Sequence, residues 1–194
     1  VQQGAELVDA DALVHELQAP GAPVFLAMVE RWGPRIVGGD GTLDRGAVAD
    51  IVFSDSDELK ALNGIVHPAV SAEMTRRREA LVATDATVIL EIPLLVESGH
   101  EGLHGVVVVD VDPEVAVERL MAGRGFEEQD ARDRIGSQAS RGERLALADV
   151  VIDNNGSLSD LSDEVDRCWT WIGSLPRPPL DREIRPIGGR AGRG

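Results

Sequence analysis

Two short runs, Val106 to Val109 and Val150 to Ile152, constrain this chain more than any other feature. Both are β-branched, and neither shows the polar alternation of a strand with one wet face. Such runs are expected of strands buried on both faces, as in a parallel sheet covered by helices. The spacing predicts four strands: Ala5 to Asp9, Thr87 to Ile92, Gly105 to Asp110 and Val150 to Asp153. Three of the runs end in aspartate, and the second is followed at once by Pro93. Between the third and fourth, Asp112-Pro113 precedes a helical pattern over Glu114 to Ala122, where Asp can cap and Pro fits the first turn. The class is α/β.

The stretch between the first two strands, residues 12–86, is too long for a simple crossover helix and reads as an inserted helical lobe. Its helical patterns are Pro23 to Trp32, Asp44 to Phe53, Ser56 to Val66 and Ala69 to Val82. Breaks are expected at Gly33-Pro34, Gly38-Gly39 and His67-Pro68. From Ser174 onward the composition changes to proline, glycine and five arginines, and residues 174–194 are expected to be a disordered tail.

A chain of 194 residues with 43% hydrophobic content can bury a core as one domain with an insertion. Its single cysteine, Cys168, excludes an intramolecular disulfide. No basic-then-apolar leader pattern opens the chain and no apolar run is long enough to cross a bilayer, so a cytoplasmic location is expected. The formal charge of −15 repels nucleic acid and anionic membranes, and neither is an expected partner.

Two groups of residues point to chemistry. Asp9 and Asp11, two apart at the end of the first strand, lie at the sheet edge where open α/β folds bind ligands. Asp11 is either a general base or the cap of a helix starting at Ala12. Arg119, Arg124, Arg132, Arg134, Arg141 and Arg144 crowd one region of an acidic chain. They are either a polyphosphate site or a solvated surface of Glu and Arg pairs.

Five segments in order, Gly4 to Asp11, Asp40 to Arg45, Leu62 to Pro68, Ile92 to Glu97 and Ala148 to Asn154, make residues 1–172 resemble the dephospho-coenzyme A kinases. The resemblance implies a P-loop-kinase-like three-layer α/β/α parallel sheet with a helical substrate insertion and a helical lid. In that reading the core is 1–11 and 87–173, the lid about 124–144, and residues 12–86 hold the coenzyme A substrate. It implies transfer of the γ-phosphoryl of ATP, with Mg2+, to the 3′-hydroxyl of dephospho-coenzyme A.

Carried over position by position, the resemblance makes Asp11 the base and sends Arg119 to the transferring phosphate. His15, His67, Pro93, Leu94, Leu95 and Glu97 would line the acceptor side. Arg124, Gln138, Arg141 and Arg144 would belong to the ATP-side lid, Asn154 would sit beside adenine, and Glu91 would lie near magnesium. A different acceptor nucleotide, or coenzyme A binding without catalysis, are the alternatives. Oligomeric state is not legible.

Three departures from the family pattern stand out. His15 occupies a position where an arginine is usual, and Arg119 and Arg124 are spaced one residue wider than in many relatives. No Gly-x-x-x-x-Gly-Lys-[Ser/Thr] occurs in these residues, and the single lysine, Lys60, lies in the insertion without a preceding glycine. The expectation is a kinase whose first, central strand and phosphate loop are missing from this sequence, leaving the chain as written inactive and unstable.

Overall fold

The computed structural model describes residues 3–98 and 102–176, so most of the expected tail lies outside the described residues. The chain divides into two compact units, one reaching to Pro93 and the other beginning at Leu94. The four strands are parallel, as expected, and form two separate two-stranded sheets, one in each unit.

The first unit begins with β1 (Glu6–Asp9), which runs directly into α1 (Ala10–Leu17). Helices α2 (Pro23–Trp32), α3 (Arg45–Ser54) and α4 (Ser56–Leu81) follow, and β2 (Val88–Glu91) pairs in parallel with β1, Asp9 opposite Glu91. Proline at the first position starts α2 and Gly33, at φ 74°, ends it, since that left-handed conformation disfavours other residues. The core is Val24, Met28, Trp32, Ile36, Val48, Val52 and Val66. Met28 and Ile36 are fully enclosed, and burial of each side chain contributes ~1.5–3 kcal/mol.

The expected break at His67-Pro68 does not occur, because α4 runs through it for 26 residues. Proline lacks the N–H that would bond to the carbonyl four residues earlier, and its ring crowds that residue. Here that residue is Gly64, where even an added Cβ would meet nothing within 4 Å. Val66 is buried just before the proline, and Ala69 and Val70 pack on the same core just after it. Tertiary packing on both sides holds the helix together.

The second unit contains the short α5 (Leu95–Ser98), β3 (Val107–Asp110), α6 (Pro113–Arg124), α7 (Glu128–Gly136), α8 (Arg141–Leu147), β4 (Val150–Asp153) and α9 (Leu158–Ser174). Strands β3 and β4 pair in register from Val107 with Val150 to Asp110 with Asp153. The Asp112 cap is present and accepts from the Glu114 N–H at 3.0 Å. At Gly105 an added Cβ would lie 2.5 Å from the Trp171 ring of α9, so only glycine admits this packing.

One expectation about the sheet needs correcting. The valine run is not buried on both faces, since Val109 is 59% exposed. A sheet of two strands, with α9 packed on β4, leaves part of β3 uncovered.

Candidate active site

In the first unit, the N-cap of α1 is Asp9, whose carboxylate accepts from the Ala12 N–H at 3.0 Å. Asp11 therefore does not cap the helix. It lies in the exposed first turn, and its carboxylate has no hydrogen bond or ion pair among the described residues. One turn later His15 is exposed and accepts a hydrogen bond at Nδ1 from Arg45 Nη2, 2.8 Å away. His67 is exposed on α4, and Glu91 is exposed at the end of β2. Pro93 is exposed just beyond that strand.

Ion pairs link helices of the first unit near these positions. Glu58 on α4 accepts from both Arg31 Nε and Trp32 Nε1 at 2.8 Å, tying α2 to α4. The Arg31 bond, then the Trp32 bond, lower the Glu58 carboxyl. Glu73 binds Arg76 and Arg77, which hold its carboxyl down to about 2, and Arg77 also meets Glu16 of α1.

In the second unit the polar groups gather where β3 and β4 end, the carboxyl edge of their sheet. Asp110, 7% exposed, receives Arg141 in a forked contact: Nε lies 3.0 Å from each carboxylate oxygen and Nη2 2.6 Å from Oδ2. The carboxylate in turn holds the Arg141 guanidinium more firmly protonated than usual. This pair fastens the start of α8 to β3.

The loop after β4 is tied on three sides. The Asn154 N–H donates to the Asp110 carbonyl at 2.8 Å, the Asp112 N–H donates to Asn155 Oδ1 at 2.7 Å, and Arg119 of α6 donates to the carbonyls of Asn154 and Gly156 at 2.7 and 3.3 Å. Asn155 closes back on Asp153 Oδ1 at 2.8 and 2.6 Å. Thus Arg119, Arg141 and Asn154, far apart in sequence, meet at one edge.

The remaining expected lid residues divide. Glu97 Oε1 accepts from the Ala139 N–H at 2.7 Å, and Arg144 donates to the Ala139 carbonyl at 2.6 Å, so both fix the turn carrying Gln138. Arg124 is exposed at the end of α6 with no partner among the described residues. Arg132 pairs with Glu114 and Glu128, the solvated Glu and Arg surface that was the alternative reading of the cluster. Leu94 is exposed and Leu95 half-buried, at the start of α5.

Sequence reasoning gave no role to Asp110, Asn155 or Arg45, although Arg45 closes one of the family segments, and it passed over the whole of α9. Asp110 was visible only as the residue ending a valine run. For α9 a signal existed, since Ser157 and Asp160 form a capping box, three apart, before an apolar pattern.

Parallel strands followed by helices, with arginines and amides gathered at a strand-end edge, define an open α/β protein whose ligand edge is built for anionic groups. A family model described as dephospho-CoA kinase matches residues 1–160. A dephospho-CoA kinase of Streptomyces avermitilis is 47% identical over 170 residues, 87% of this chain and 82% of that protein. One from Symbiobacterium thermophilum is 45% identical over 87% of this chain and 71% of its own length. A crystal structure of TT1252 from Thermus thermophilus superposes with a TM-score of 0.70 at 36% identity, covering 88% of this chain and 86% of that one. The chain belongs to the dephospho-CoA kinase family, ATP-dependent transferases that phosphorylate the alcohol group of dephospho-coenzyme A in the last step of coenzyme A synthesis.

Proposed function

We propose that Asp11 is the general base of this reaction, taking the proton of the 3′-hydroxyl of dephospho-coenzyme A as its oxygen attacks the γ-phosphorus of ATP. The observation that carries the reading is the capping of α1 by Asp9, which leaves the Asp11 carboxylate exposed and unengaged beyond a strand end. A carboxylate tied up as a cap would have its acceptor capacity occupied by the backbone.

We assign residues 12–86 to the acceptor lobe, 1–11 and 87–173 to the nucleotide-kinase core, and about 124–144 to the lid. His15, His67 and the segment Pro93 to Glu97 belong to the acceptor side. Arg124, Gln138, Arg141 and Arg144 belong to the ATP-side lid, with Asn154 next to adenine. Arg119 holds two carbonyls of the Asn154 loop. That favours a second role for it, fixing the adenine-side loop, beside the phosphate contact implied by the family.

ATP acts as its magnesium complex. A kinase magnesium is held by one or two carboxylates together with phosphate oxygens and water. Among the described residues no cluster could hold a metal by itself, and the exposed Glu91 is suited to supplying a single carboxylate. We place the reaction in the cytoplasm.

The test is Asp11→Asn in a form of the protein that includes a Walker A loop. Loss of the base lowers kcat by about 10²- to 10⁴-fold with little change in affinity for dephospho-coenzyme A. Asp9→Ala, by contrast, costs about 1 kcal/mol of stability through the lost cap. Full turnover by Asp11→Asn overturns the assignment. For Arg119→Ala, an approximately hundredfold fall in kcat supports the phosphate contact. A rise confined to KM for ATP supports the loop role.

A further inference from the structure

Arg45 is used differently from Arg31, Arg76 and Arg77 of the same unit, each of which meets a glutamate. Arg45 pairs with no carboxylate among the described residues, and its Nη2 donates to His15 Nδ1 at 2.8 Å. A guanidinium has several further N–H donors and keeps its charge at any working pH. An imidazole that accepts at Nδ1 is neutral and carries its proton on Nε2. The contact therefore orients a full positive charge without neutralising it, in a chain of net charge −15.

Three carboxylates near this pair in sequence are engaged elsewhere, while Asp11, one turn before His15, is not. Glu16 is held by Arg77, Asp44 accepts from the Ala47 N–H, and Asp40 accepts from the Thr42 N–H and hydroxyl. The Thr42 backbone bond, followed by its hydroxyl, lowers the Asp40 carboxyl. Arg45 also starts from a fixed point. Val37 bridges Leu43, and the Asp44 N–H donates to the carbonyl of Ile36, a fully buried residue, at 2.8 Å. Arginine in the first turn of α3 is not placed there for helix stability, because the positive end of a helix disfavours a cation.

Asp11 and His15 are four residues apart on α1, so they share a face and are separated by about one helical turn, roughly 5.4 Å. The 3′-hydroxyl and the 5′-phosphate of one ribose are separated by a distance of the same order. We propose that Arg45, oriented by His15, binds the 5′-diphosphate of dephospho-coenzyme A one turn along α1 from the base. This rests on the Asp11 reading given above. The diphosphate is unchanged by the reaction, so a contact to it is equally strong in substrate and transition state, and its loss appears in KM rather than kcat.

The experiment is steady-state kinetics of Arg45→Ala and Arg45→Lys in the active kinase, varying each substrate in turn, with thermal unfolding of the same samples. Arg45→Ala is expected to raise KM for dephospho-coenzyme A by about 10- to 100-fold, the loss of a charge-assisted contact, with kcat and KM for ATP within about threefold. Arg45→Lys, which keeps the charge but not the fork, recovers part of the loss. The proposal is overturned if KM for the acceptor is unchanged, if the rise falls on ATP instead, or if loss of activity tracks a lowered unfolding midpoint and lysine restores nothing. Asp11→Asn separates the two readings. If that variant keeps full kcat while Arg45→Ala still raises the acceptor KM, the base assignment fails and the diphosphate contact stands.

Discussion

Replacing Arg141 by alanine tests whether the polar edge of the second unit is held together by its pair with Asp110. In the native protein its guanidinium makes a forked contact to Asp110, a carboxylate only 7% exposed, while the Arg141 side chain is 40% exposed. Removing the arginine leaves a nearly buried carboxylate without its cation. A fully buried broken pair costs ~3–5 kcal/mol, and the exposure on the arginine side allows water to replace part of the contact, which brings the expectation to about 2–3 kcal/mol. For a chain of this size that is a fall in unfolding midpoint of about 4–12 °C. The assay is thermal and urea unfolding of Arg141→Ala, Asp110→Asn and the double variant. Asp110→Asn removes the charge that needs compensation, so the double variant is expected to be more stable than the sum of the two losses by about 1 kcal/mol or more. A single-variant loss under ~0.5 kcal/mol, or strict additivity, refutes the claim that this pair fastens α8 to β3.

Other expectations follow from the same contacts. The Glu73 carboxyl, depressed to about 2 by Arg76 and Arg77, has a folded-state value below its unfolded one, so its stabilisation is present above about pH 4.5 and is lost as pH falls toward 2. Glu73→Gln is therefore expected to lower stability by about 1 kcal/mol at pH 7 and by almost nothing near pH 2, read by urea unfolding at both values; an equal loss at both sinks the ion-pair account. Gly105→Ala drives a methyl group into the Trp171 ring and is expected to cost ~1–3 kcal/mol, with an unchanged midpoint showing that α9 can give way. Pro68→Ala restores the bond to the Gly64 carbonyl and is expected to raise stability, by up to ~3 kcal/mol, and a loss instead means that the proline itself packs. A sample of residues 1–194 alone is expected to show no ATP turnover, because no Gly-x-x-x-x-Gly-Lys-[Ser/Thr] lies within them, and measurable turnover contradicts that.

Much of the architecture was legible because it is written in local chemistry. Pro23 and Asp112-Pro113 set helix starts that backbone geometry enforces nearby, and the β-branched runs end where β3 and β4 end. The ordered motifs likewise identify the family without any coordinates. His67-Pro68 misled because a proline's local cost is small beside the burial of Val66, Ala69 and Val70 on a common core.

The sequence by itself determined the α/β class, the parallel direction of the strands and the family, since propensity, punctuation and motif order act over a few residues or along one line. Only the structure showed that Asp9 and not Asp11 caps α1, because the choice depends on where the first turn begins. It also decided which arginines face carboxylates and which do not. Arg141 meets Asp110 across 31 residues, Arg119 holds carbonyls 35 and 37 residues away, and Arg45 reaches His15 across 30. Such partnerships depend on where the core brings distant segments together, and hydrophobic packing, which fixes that, leaves no trace in the identity of the arginine itself.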